Sequence, residues 1–169
     1  MDKIVGIKRK AQRYVQSGDL PKAVAEYERL VESGEMDPYD YVYLGDLLVK
    51  ISRGNDAVHR YCDAINAYER VGLYKNAIAV GKKILRIKPE SFDIHRLVGG
   101  LYFLEGLYND SLFYYMQFLS VAPPDSESTS IEEVGLRLLG MPMPSPDMAL
   151  RIVDAMALAN CAAAAARPL

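Results

Sequence analysis

His59 and Cys62 lie three residues apart in a segment of helical pattern, a spacing that puts an imidazole and a thiol on one face, where both could ligate a metal ion. A structural zinc site needs about four such ligands and a catalytic one about three. The other histidine is His95 and the other cysteine Cys161, and neither lies within helical reach. The pair therefore reads as one packing side chain and one histidine facing a groove, and no metal is expected. The acidic pairs Glu26 with Glu28 and Glu132 with Glu133 are neighbours along the chain rather than partners across a pocket. Carboxylates that share acid–base work must face each other over a substrate, so these read as solvated helix faces. No glycine-rich phosphate loop, nucleophile elbow or kinase signature occurs. The sequence nominates no catalytic residue and no cofactor, and the expected activity is non-enzymatic. The densest charge signal is Lys75, Lys82, Lys83, Arg86 and Lys88, a run with no acid between Gly72 and Pro89. It reads as a solvated helix face, with an electrostatic footprint for an anionic partner as the alternative.

The chain that must position these side chains has 169 residues, half of them hydrophobic and a quarter charged. That is globular composition, and it excludes collagen-like, disordered and disulfide-scaffold classes. A formal charge of −2 and a pI near 5.7 provide no global attraction for phosphate, so neither nucleic acid nor an anionic membrane is an expected partner. Two cysteines without CxxC spacing fit a reducing compartment. With no apolar run of signal-peptide length near Met1 and none approaching about eighteen residues, the protein is expected to be soluble and cytoplasmic.

Self-similarity decides the architecture. Gly72-Leu73-Tyr74, with Pro89 beyond it, returns as Gly106-Leu107-Tyr108 with Pro123, a spacing of 34 residues at each position. Gly18, Ala23 and Tyr27 map onto Ser52, Ala57 and Tyr61 at the same spacing. Punctuation by glycine, proline and serine predicts helices over 3–17, 20–33, 39–52, 55–71, 74–88, 91–105 and 108–121, and no segment alternates as a strand would. The protein carries twelve tyrosines against four phenylalanines and no tryptophan. Those that recur at repeat positions, Tyr27, Tyr61, Tyr102 and Tyr115, are candidates for the core, with the hydroxyl reaching an edge.

A repeat of about 34 residues made of two antiparallel helices, with small residues where they cross, resembles the tetratricopeptide repeat (TPR) family. The resemblance runs over roughly residues 5 to 123. Ala11, Gly18, Ala23 and Tyr27 take its small, turn, small and aromatic positions in the first unit; Gly45, Ala57, Tyr61 and Ala64 match in the second; and Gly99, Tyr102, Gly106, Ser111, Tyr115 and Pro123 match in the last. Two departures stand out. About three extra residues precede Asp37-Pro38, and Ala57 and Ala77 are only 20 apart, one helix and a turn rather than a repeat. Either the helix near 55–70 closes the second unit and opens the third, or a helix is missing there and the stack breaks.

The resemblance implies an all-α, TPR-like right-handed superhelical solenoid of three to four repeats over 1–123, followed by a polar linker and C-terminal helices over 124–169. For the apolar stretches Ile131–Leu139 and Ile152–Leu158 the expected role is capping the last repeat. Folding back into the groove as an internal ligand, and a disordered or truncated end, are the alternatives. The family's concave groove falls, residue by residue, on Lys8 and Gln12 in the first unit and on Tyr39, Val42, Asp46 and Lys50 in the second. His59, Asn66 and Arg70 on the shared helix continue it, and Arg96 and Phe103 complete it. The helix carrying Lys82, Lys83 and Arg86 would take the convex side. The subtype that clamps acidic chaperone C-termini is not implied, because Gln12 and Tyr43 stand where it needs asparagines.

The implied function is a scaffold or adaptor holding a peptide or helix of another protein, monomeric or weakly dimeric. A small bacterial secretion chaperone of the type III class, dimerising through its N-terminal helix, is one alternative. A regulatory fragment of a larger signalling protein is another.

Overall fold

A computed structural model describes residues 2–121, 128–142 and 146–165. The described residues form helices only: α1 (Asp2–Gln16), α2 (Leu20–Glu32), α3 (Pro38–Lys50), α4 (Gly54–Arg70), α5 (Tyr74–Ile87), α6 (Phe92–Leu104), α7 (Tyr108–Val121), α8 (Ser128–Leu139) and α9 (Pro146–Ala165). Each sequence-predicted boundary falls within a residue or two of these. The protein is all-α, with TPR-like antiparallel hairpins α1/α2, α3/α4 and α6/α7.

Local chemistry explains the breaks. After α1, α3, α4 and α6 the chain turns through one residue in the left-handed region: Gly18, Ser52, Gly72 and Gly106, with φ between 62° and 80°. The next amide then reaches back to a carbonyl five residues earlier, as Arg53 does to Leu48 at 2.8 Å and Leu73 to Tyr68 at 2.9 Å. Ser52 is the only non-glycine at positive φ among the described residues, so it carries a steric penalty its three counterparts escape. Starts are capped as well. Asp19 accepts from the Lys22 amide, and Asp37 and Asp40 form a reciprocal capping box behind Pro38.

Packing divides the protein into two compact units, 1–87 and 88–169. In the second unit α8 and α9 bury their apolar faces against α7 and so pack together with α6 and α7. Pro123, the linker residues 124–127, residues 143–145 of the second break and the tail from Ala166 lie outside the described residues.

In the first unit the crossings are built on the small residues. Ala11, Ala23 and Ala57 are fully buried, and Gly45 lies so close to the Tyr61 ring that no side chain fits between them. Helix α4 packs on α3, where Tyr61 meets Gly45 and Asp46, and also packs on α5, so it serves two hairpins at once. The shortened spacing from Ala57 to Ala77 is this shared helix, with no helix missing between Gly54 and Ile87.

The second unit repeats the device. Gly99 faces the Tyr115 ring, and the buried Ser111 hydroxyl donates to the Gly99 carbonyl at 2.7 Å, which is how serine replaces the alanine expected there. Tyr115, Phe118 and Leu119 of α7 then meet Ile131, Val134 and Leu138 of α8 and Ile152 of α9. Burial of large apolar side chains of this kind contributes roughly 1.5–3 kcal/mol apiece. Gly135 allows Met156 of α9 to approach the α8 backbone.

Candidate partner-binding cleft

Helices α3, α4 and α5 enclose a cleft of about 370 Å³. Its α3 wall runs from Tyr43 through Asp46 and Leu47 to Val49 and Lys50; Tyr61 of α4 closes one side, and Lys83, Arg86 and Ile87 of α5 face them. The spacing follows from helix periodicity: Tyr43, Asp46 and Lys50 recur at three and four residues, as do Lys83, Arg86 and Ile87, so each set shares a face.

One polar cluster ties the walls together. The Lys83 ammonium donates to both Asp46 carboxylate oxygens, at 2.6 and 2.7 Å, and the Tyr61 hydroxyl donates to Asp46 Oδ1 at 2.6 Å. Lys83 Nζ also sits 5.7 Å from the Tyr61 ring centroid, within cation–π range. Burial, reinforced by the hydrogen bond and negative charge of Asp46, pushes the Tyr61 phenol well above its ordinary pKa, so it remains a neutral donor. Asp46 is thus neutralised within the protein.

Lys50 and Arg86 are exposed and make no ion pair among the described residues. They leave positive charge at the rim. The aliphatic lining comes from Leu47, Val49 and Ile87, with Val49 43 % exposed. Above Tyr43 an aromatic series continues along α3. Tyr39, two-thirds exposed, stacks on Tyr43 at 6.2 Å, and Tyr43 meets the buried Tyr27 edge-on at 5.4 Å.

The structure distributes the groove residues read from the sequence over several surfaces. Asp46 and Lys50 line the cleft, and Tyr39 adjoins it through Tyr43. Val42 is half-buried on α3, and Gln12 is exposed on α1. Lys8 is engaged structurally: its ammonium lies 2.5 Å from Asp40 and 3.4 Å from Asp37, tying α1 to the α3 N-terminus. Burial alone would push the Asp37 carboxyl up, but the Asp40 amide and the Lys8 charge hold it below its usual value.

His59 lies in a separate hollow of about 250 Å³ with Glu28, Arg53 and Asp56, where Arg53 bridges both acids. Asn66 and Arg70 line a third, of about 610 Å³, together with Tyr41, Asp63 and Glu69. That hollow is larger than the cleft, but none of its lining side chains is aliphatic, so it has little to hold an apolar ligand. Burial pushes the Glu69 carboxyl there above its usual pKa. In the second unit Arg96 is half-buried on α6, and Phe103 packs against the core cluster with its ring edge-on to Tyr108 at 5.6 Å.

Lys83 and Arg86 form the wall opposite Asp46 and Lys50. Helix α4 packs on both α3 and α5 and so brings these side chains together. The acid-free run from Gly72 to Pro89 was the available signal. Among the described residues no three histidine, cysteine or acidic side chains gather as a metal site would require, and no helix is long and apolar enough to cross a membrane.

No family model matches the sequence, and no curated protein sequence matches it. Similar solved structures include a crystal structure of MamA protein, 16% identical, with 100% of this chain and 98% of that one covered and a TM-score of 0.48. Another is MamA from residue 41 to its end from Desulfovibrio magneticus RS-1, 13% identical over 99% of each chain, with a TM-score of 0.46. A further MamA crystal structure is 15% identical over 92% of this chain and 95% of that one, at 0.47.

Proposed function

We propose that the protein is a non-catalytic interaction module that holds a segment of a partner protein in the cleft between α3, α4 and α5. The observation that supports this most is the composition of that cleft. Exposed aliphatic and aromatic surface lies beside two cations that make no ion pair among the described residues, and the one acid of the lining is already bonded to Lys83 and Tyr61. Apolar contact supplies affinity and the charged rim supplies orientation, a division of labour typical of peptide-binding surfaces. The repeated hairpins suit the role, since they hold side chains of several helices rigidly on one surface.

A pull-down from source lysate tests the reading with three proteins of equal helicity: the parent, a Lys50→Ala, Arg86→Ala variant, and an Asn66→Ala, Arg70→Ala variant. A partner kept by the parent and the α4 variant but lost by the cleft variant is the expected result. Loss in the α4 variant alone would move the site to the Tyr41–Arg70 hollow, and retention in both would overturn the assignment to the cleft.

A further inference from the structure

The charge balance of the cleft also specifies the chemistry of what it holds. We infer that its ligand is an acidic–apolar protein segment, with an aspartate or glutamate side chain held between Lys50 and Arg86 and an adjacent aliphatic or aromatic side chain against Val49 and Ile87. The inference rests on the interaction-module reading above and adds the class of partner.

Three features of the cleft lead to it. Asp46 has little left to offer an incoming cation, because its charge is paired with Lys83, both of its oxygens accept from that ammonium and one also accepts from Tyr61. That ion pair cancels one positive against one negative charge and leaves Lys50 and Arg86 as the net field of the site. A basic segment would meet two like charges with no acid free to receive it, which selects against it. A purely acidic, hydrophilic segment would satisfy the cations yet leave the aliphatic wall wet, although Val49 is 43 % exposed and Ile87 half-buried beside it. A segment with both features covers both. The volume, about 370 Å³, is near the small end of the ligand-pocket range and suits a few side chains rather than a folded surface.

The cations have different freedom to bind. Lys50 ends α3, where the helix dipole favours a cation. Arg86 lies in the last turn of α5 and presents a planar fork that suits bidentate capture of a carboxylate.

The test is a phage-displayed library of random twelve-residue peptides, panned on the immobilised full chain and sequenced, with the strongest binder then synthesised and titrated by fluorescence anisotropy. Enrichment of Asp or Glu next to Leu, Ile or Phe is expected. The synthetic peptide should lose about tenfold or more in affinity on the Lys50→Gln, Arg86→Gln variant, and it should weaken on the parent as salt is raised. Because both side chains are exposed, the variant keeps the core intact, and the salt series on the unaltered protein gives a second readout. Enrichment of neutral or basic peptides, absence of enrichment, or winners indifferent to both the variant and salt would each overturn the inference. If such a result coincided with a lysate partner that still depended on Lys50 and Arg86, the interaction-module reading would survive and only the ligand chemistry would fall.

Discussion

Replacing Gly45 with alanine places one methyl group where the α3/α4 crossing has no room. A Cβ built there would lie 2.7 Å from Tyr61 Cδ1 and nearer still to Cε1, against an optimum for carbon contacts of about 3.5–4.0 Å. The ring must therefore withdraw by about 1 Å. It is 2% exposed, and its hydroxyl is anchored on Asp46 at 2.6 Å, so withdrawal disturbs both the core and the polar cluster of the cleft. Overpacking of this kind costs roughly 1–3 kcal/mol. Weakening the Tyr61–Asp46 bond adds about 1 kcal/mol. Alanine's better helix propensity returns about 1 kcal/mol. The expected net loss is about 1–3 kcal/mol, or roughly 4–8 °C in Tm per kcal/mol for a unit of this size.

Urea unfolding followed by helical circular dichroism measures the loss, with Gly6→Ala as the control. Gly6 has nothing within 4 Å of its missing Cβ, so that change should be neutral or stabilising by up to about 1 kcal/mol. Adding Tyr61→Leu should shrink the cost of Gly45→Ala, and the double-mutant cycle reads the contact directly. If Gly45→Ala proved as stable as the parent, the close approach of α3 and α4 would be refuted.

Ser52 holds a φ of +62° at a turn where its counterparts are glycines, so Ser52→Gly should stabilise the fold by about 0.5–1 kcal/mol and raise the urea midpoint accordingly; an unchanged midpoint would mean the turn is not strained. Lys8→Ala removes the ion pairs to Asp40 and Asp37, one side chain of which is 7% exposed; it should cost about 1 kcal/mol, less in high salt, while leaving partner capture unchanged. Loss of capture without loss of stability would return Lys8 to the binding surface. Burial, with Asp40 and Tyr43 nearby, raises the Tyr27 phenol to about 12, and Tyr61 is raised too. Unfolded phenols release their protons near pH ~10, so stability should be intact below that pH and fall as pH rises toward ~12. Tyr27→Phe should flatten that decline in a stability-against-pH series, and a flat parent profile would contradict the burial.

The helices, their limits and their pairing were legible in the sequence because each depends on chemistry acting within a turn. Gly72 and Gly106 permit left-handed turns, Pro21 and Pro38 open helices, and Gly45 with Tyr61 or Gly99 with Tyr115 marks a close crossing at a repeated interval. The short interval from Ala57 to Ala77 even pointed to the shared helix. Less of the site could be read. Periodicity states which side chains of α4 share a face but not which neighbour that face meets, so His59 and Asn66, seven residues apart on one stripe, line different hollows.

What the sequence by itself determined is an all-helical protein of TPR-like hairpins, since helix punctuation and small-residue spacing are local or nearly so. The tertiary structure alone decided that α5 stands beside α3, that Lys83 neutralises Asp46 while Arg86 and Lys50 retain their charge, and that α8 and α9 belong with α7. Those outcomes depend on where α4 directs two faces at once, and the burial of apolar surface across several helices settles them rather than any single segment.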